Sequence, residues 1–219
     1  MRFGHILFAL AAAAFGIGGG TASAQLAPTV SGFSSAPTTA SEEEYWFFIR
    51  ELGRCLTESK YAQSVALIQT TIDSAAEKRA FDALMPRKGN HICMRNMVRA
   101  TFQRAQLRGA IAESLYELQP VSAPQAPVPQ VPTAPAAVRS IHDFADCYIA
   151  GNYAEARQLL ADTKLGTQAE HDRVREMAQA FGACLPAGRA TRIVPVNIRL
   201  ALAGALYRAG ANSMTEAAE

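Results

Sequence analysis

The chain has 219 residues, about half of them apolar (49%), and a formal net charge of +2. A balance so close to neutral excludes a general electrostatic pull toward nucleic acid or an anionic membrane. The apolar content is enough for a packed core, and the length allows one domain or two small ones.

Residues 1–24 read as a signal peptide. Met1-Arg2 supplies one positive charge, an apolar run extends from Ile6 to Ile17, and Gly18, Gly19 and Gly20 lead into Ala22-Ser23-Ala24. That is an n-region, an h-region and a small-x-small cleavage site, with cleavage before Gln25. A membrane-spanning helix needs roughly 20 apolar residues, and this run is shorter. Losing Arg2 takes the charge from +2 to +1. No later stretch reads as an integral membrane segment, so the expected location is periplasmic or secreted. Residues 25–41 are Ala, Pro, Ser, Thr and Gly with little else and read as a disordered linker.

The first folded unit is expected over residues 42–118. Ser41 before Glu42, Glu43 and Glu44 is an N-cap followed by first-turn acids. Tyr45, Phe48, Ile49, Leu52 and Leu56 then recur at helical spacing, with Cys55 near the helix end. A second helix is expected from Tyr61 to Ile72. A third is capped by Ser74 and stopped at Pro86, and a long fourth is entered from Cys93 through Phe102, Ile111 and Leu115. Residues 119–138 hold six prolines between 120 and 135 and read as an extended spacer.

The second unit, residues 139–211, repeats the plan. Ile141, Phe144 and Tyr148 line its first helix, Thr167 caps its third, and Pro195 opens its last. At an offset of 92, Ile49, Cys55, Tyr61, Ala62 and Leu67 match Ile141, Cys147, Tyr153, Ala154 and Leu159; at 91, Cys93, Arg108, Ala110, Ala112, Leu115 and Tyr116 match Cys184, Arg199, Ala201, Ala203, Leu206 and Tyr207. The expected fold is all-α: two tandem duplicated helical bundles of about four helices each, joined by the proline-rich linker, with a flexible tail over 212–219. Self-similarity at a long period is the mark of such duplications. The run Tyr148-Ile149-Ala150-Gly151-Asn152-Tyr153-Ala154-Glu155-Ala156 resembles the helix turn of a tetratricopeptide repeat. The resemblance covers nine residues and implies similar turn packing there, not membership of that family.

Four cysteines in an exported chain imply disulfides. The repeat selects Cys55–Cys93 and Cys147–Cys184, one bridge inside each unit. Closing a loop of this length stabilises by about 4 kcal/mol in the chain-entropy model. The wide spacings do not fit a four-cysteine zinc site, and no metal or cofactor is expected.

An acid precedes the first cysteine of each unit by one helical turn, Glu51 before Cys55 and Asp143 before Cys147. An arginine recurs in each last helix, Arg108 and Arg199. Because a buried charge needs a partner, the expected structural ion pairs are Glu51–Arg108 and Asp143–Arg199. Tyr61, Tyr153, Tyr116 and Tyr207 are expected as half-buried core residues. Arg95 and Arg99 point away from Arg104 and Arg108 on a helix, which argues against a nucleic-acid stripe. His91, His142 and His171 are scattered, and no catalytic motif is present, so catalytic residues are not assigned and no enzyme is expected. The expected function is an exported binding, adaptor or envelope-associated scaffold protein acting on an unidentified protein partner. The alternatives are an enzyme or enzyme-inhibiting module using Glu51/Arg108 and Asp143/Arg199, or a carrier of a small apolar ligand.

Overall fold

A computed structural model describes residues 41–85, 92–94, 102–119, 137–185 and 191–216, with side chains to 211. The expected signal peptide, first linker, proline-rich spacer and tail tip lie outside the described residues, as do Pro86, His91, Arg95 and Arg99. The regular elements among the described residues are helices, with no strand. The helices are α1 (Glu42–Ser59), α2 (Tyr61–Ile68), α3 (Ala75–Leu84), α4 (Arg104–Leu118), α5 (Ile141–Asp162), α6 (Gln168–Met177) and α7 (Pro195–Glu216), with 3-10 turns at Ile92–Met94 and Ala178–Cys184.

Local chemistry fixes the starts. The Ser41 hydroxyl accepts from the Glu44 amide while the Glu44 carboxylate accepts from the Ser41 amide, a full capping box. Ser140 and Asp143 form the same box at α5. Ser74 and Thr167 cap α3 and α6. The α5 helix is broken at Asn152, where φ −134° and ψ 38° leave the helical region. The turn implied by the tetratricopeptide-like run is therefore present as a kink, with Gly151 before it.

Two expected spans change. The second helix stops at Ile68 rather than Ile72, because Thr70 and Arg108 take over its last carbonyls and Asp73 turns the chain at φ 58°. The helix expected to run on from Cys93 begins at Arg104; Cys93 itself lies in a 3-10 turn. Both expected disulfides are formed, Cys55–Cys93 and Cys147–Cys184.

The last helices of the two halves, α4 and α7, pack along each other and bring the halves together. Every residue of α4 from Gln106 to Leu115 is buried, because one face meets α1 and α2 and the other meets α7. The closest approach is set by small residues. A Cβ on Gly109 would overlap the Leu200 side chain, and one on Gly53 would come within 2.8 Å of Ala110. Trp46 is buried against the back half, its Cβ 2.6 Å from where a side chain on Gly166 would begin. Its neighbours include Leu165, Val196 and Leu200. A glycine is needed at 166 for two reasons, that contact and its φ of +75°. Trp46 is thus an internal anchor.

Two buried arginines tie each last helix to its own half. Arg108 donates to the carbonyls of Leu67, Ile68 and Thr70, to the Thr70 hydroxyl and to Glu77 at 3.0 Å. Arg199 donates to the carbonyls of Leu159, Leu160 and Thr163 and to the Thr163 hydroxyl. In both places a guanidinium satisfies the orphan carbonyls at a helix C-terminus and sits at the negative end of its dipole.

The expected pairs Glu51–Arg108 and Asp143–Arg199 are corrected. Glu51 lies on the outer flank of α1 and binds Arg54 at 2.6 Å and Arg50 at 3.5 Å. Asp143 is held in its capping box and also accepts from the Arg139 amide. Neither carboxylate reaches the interior. Among the tyrosines, Tyr207 is buried and Tyr116 and Tyr153 are half-buried, but Tyr61 is 54% exposed, at the start of α2 where the helix faces solvent.

A double-mutant cycle separates the two pairings of Arg108. Arg108→Met and Glu77→Gln should each destabilise strongly, Arg108→Met by about 3–5 kcal/mol as a broken buried pair, and their effects should couple by about 1–3 kcal/mol. Arg108→Met and Glu51→Gln should add. Chemical denaturation checks both cycles.

Candidate functional site

The Arg199 guanidinium has a second set of partners that Arg108 lacks. Glu113, projecting from α4 of the other half, accepts from Arg199 Nε and Nη2 at 2.6–3.2 Å. Both side chains are buried, at 2% and 7% exposure. A bidentate, buried pair of this kind is strong in geometry and costly to break. It crosses between the halves, whereas Glu77–Arg108 stays within one.

Glu170 occupies in the back half the place that Glu77 has in the front. Each sits three residues after its N-cap and accepts, through Oε2, from the amide of the left-handed residue before the cap, Asp73 or Gly166. The other oxygen of Glu77 receives Arg108; that of Glu170 is buried without a hydrogen-bond partner. Burial, opposed by Arg199 and reinforced by Glu113, pushes the Glu170 carboxyl up to about 7. A buried acid in this state is held largely protonated in mildly acidic solution.

Above the Arg199–Glu113 pair, a crevice of about 250 Å³ opens between the halves. Arg50 and Arg54 come from α1, Ala110, Glu113, Ser114 and Glu117 from α4, Thr163, Lys164 and Leu165 from the turn before α6, and Arg199 from α7. Its cations and its acids stand on different walls. Arg54, Lys164 and Glu117 are exposed at the rim, and Arg199 and Glu113 form the floor. The Glu117 carboxyl is raised, first by desolvation and then by Glu113, against the pull of Arg199, Arg50 and Arg54. The Arg50 guanidinium also lies 5.3 Å from the Phe47 ring centre, a cation–π placement.

Arg208 on α7 donates to Asp146 on α5 at 2.5 Å. Arg208 Nη1 lies 3.5 Å from where a side chain on Gly204 would begin. His142 stands beside them; burial and the nearby Arg108 and Arg208 depress it to about 4.

Of the residues singled out from sequence, Arg199 reaches the crevice, Arg108 lies in the matching cradle, and Glu51 and Asp143 stay outside. Glu77, Glu113 and Glu170 carry the buried electrostatics and were not anticipated. Among the described residues no group of three or more His, Cys, Asp or Glu could hold a metal ion. No helix among them is long and apolar enough to cross a membrane. Comparison with protein-family models, with curated proteins and with solved structures gave no match.

Glu170 gives a signed pH dependence. Its acid is weaker in the folded protein (about 7) than in an unfolded chain (4.5), so the folded state binds more protons between those values. Its contribution is greatest below about 4.5 and is lost as pH rises through 7. At about 1.4 kcal/mol per pKa unit the full swing is about 3 kcal/mol. His142 acts in the opposite sense, losing stability as pH falls from 6.5 toward 4. The comparison of wild type with Glu170→Gln isolates the first effect. The variant should gain stability relative to wild type between pH 5 and pH 8, read from denaturant midpoints; an unchanged difference contradicts the assignment.

Proposed function

We propose that the chain is an exported, non-catalytic binding protein made of two duplicated helical units, and that it recognises its partner in the charged crevice between them. The duplication is supported by two arginine cradles with the same acceptors, two left-handed residues before two caps, and one disulfide in each half. It is supported too by the contact of Gly109 with Leu200, the residue 91 further on, as expected where a local two-fold axis passes between copies. Export is supported by the leader-like residues 1–24 and by the pairing of all four cysteines.

The observation that carries the binding reading is the floor of the crevice. Arg199 is held by the Glu113 carboxylate, three carbonyls and a hydroxyl. Such a group is a fixed feature of the wall. Rigid charge around a water-accessible recess is suited to orienting a partner. The pairs on which an enzymatic or inhibitory site would have been built, Glu51/Arg108 and Asp143/Arg199, do not assemble there. The charged lining favours a polar ligand over the apolar cargo of a carrier.

A melting-temperature screen of the mature protein against small metabolites and short peptides tests this. A compound present at 100 times its Kd stabilises by about 2.7 kcal/mol. Hits should shift the wild type and lose most of their shift with Arg54→Gln or Glu117→Gln. Hits that shift both variants as much as the wild type would place recognition elsewhere.

A further inference from the structure

The geometry points to a small zwitterion, of amino-acid to dipeptide size, as the class of ligand held in this crevice, its carboxylate toward Arg50, Arg54 and Lys164 and its ammonium toward Glu117. This rests on the binding function just proposed and adds the chemistry of the ligand.

The two sides of the molecule supply the reasoning. On one side, α5 presents Asp146 and α7 presents Arg208, and the two close into an ion pair. On the other, α1 presents Arg54 at the place matching Asp146, and α4 presents Glu117 at the place matching Arg208. The charges are exchanged and the space between them is open, at about 250 Å³. Arg54 and Glu117 feel each other's field, yet Arg54 bonds to Glu51 and Glu58 along its own helix instead. Those bonds are solvent-exposed, and such pairs contribute little, so they yield readily to a ligand carboxylate.

The floor asks for no added charge, because Glu113 already neutralises Arg199. What is left is a cationic wall and a separate carboxylate, the exposed Glu117, whose charge repels that of Glu113. A plain anion would meet the first and leave the second facing like charge. A molecule with both charges matches both walls, as Asp146 and Arg208 match each other on the opposite side. The volume is below the roughly 300–1,000 Å³ of drug-sized pockets, which suits a ligand of one or two residues.

Three probes with the same methyl side chain decide this: alanyl-alanine (both charges), N-acetyl-alanine (carboxylate only) and alaninamide (ammonium only). They are titrated into the full mature chain near neutral pH by NMR or calorimetry. Alanyl-alanine should bind at least tenfold more tightly than either capped probe. Glu117→Gln and Arg54→Gln, both at exposed positions, should each weaken it at least tenfold while the melting temperature without ligand is kept. Equal binding of N-acetyl-alanine would overturn the zwitterion and leave a binding crevice for anions. No binding of any probe would overturn the ligand class, and the broader binding reading would then stand or fall on the melting screen.

Discussion

Everything in the interior is arranged around two guanidinium groups that end helices. A helix leaves its last carbonyls without partners, and Leu67 and Ile68 at the end of α2 and Leu159 and Leu160 near the end of α5 are buried. Arg108 and Arg199, extended from the last helix of each half, supply donors in a planar fork. Each arginine therefore fixes the end of one helix, the position of another and the turn that follows. The cost of burying the charge is offset by four or more hydrogen bonds and by a carboxylate.

The carboxylates differ, and that difference separates the halves chemically. Glu77 closes the front cradle from within. In the back half Glu113 arrives from α4, takes Arg199 in a bidentate pair, and leaves Glu170 without a cationic hydrogen-bond partner. One half is electrostatically self-contained and the other is completed by its neighbour. The packing of Gly109 on Leu200 and of Trp46 on Gly166 brings the backbones close enough for Glu113 to reach across. The crevice follows from the same approach, since α1 and the turn before α6 flank the place where Glu113 enters. In the proposed duplication, Glu113 and Gly204 are counterparts, and this exchange makes the two halves chemically unequal beside the crevice.

Much of the framework was legible in the sequence. Caps at Ser41, Ser74 and Thr167, the break near Asn152, the start at Pro195 and both disulfides rest on local rules or on the spacing of the repeat. Arg108 and Arg199 were recognisable as arginines that recur in the last helix of each half. Their partners were not, because the acids one turn before the cysteines, Glu51 and Asp143, are held by Arg54 and by the Ser140 capping box. The signal was available elsewhere: Ser74 and Thr167 are each followed three residues later by glutamate, the spacing of a capping box, and Glu113 stands among Ile111, Ala112 and Leu115. Ile72 extends the apolar pattern of the second helix, whereas a tertiary contact from Arg108 ends the helix at Ile68. Weak amphipathicity in α4 and α7 was equally informative in retrospect: a helix covered on all sides has no polar face to display.

The central claim is that Glu113 and Arg199 join the halves through one buried bond pair, and a double-mutant cycle on these two residues tests it most directly. Glu113→Gln and Arg199→Met should couple by about 1–3 kcal/mol in denaturant unfolding, while Glu113→Gln combined with Arg108→Met should add. Additive losses for the first pair would contradict the account.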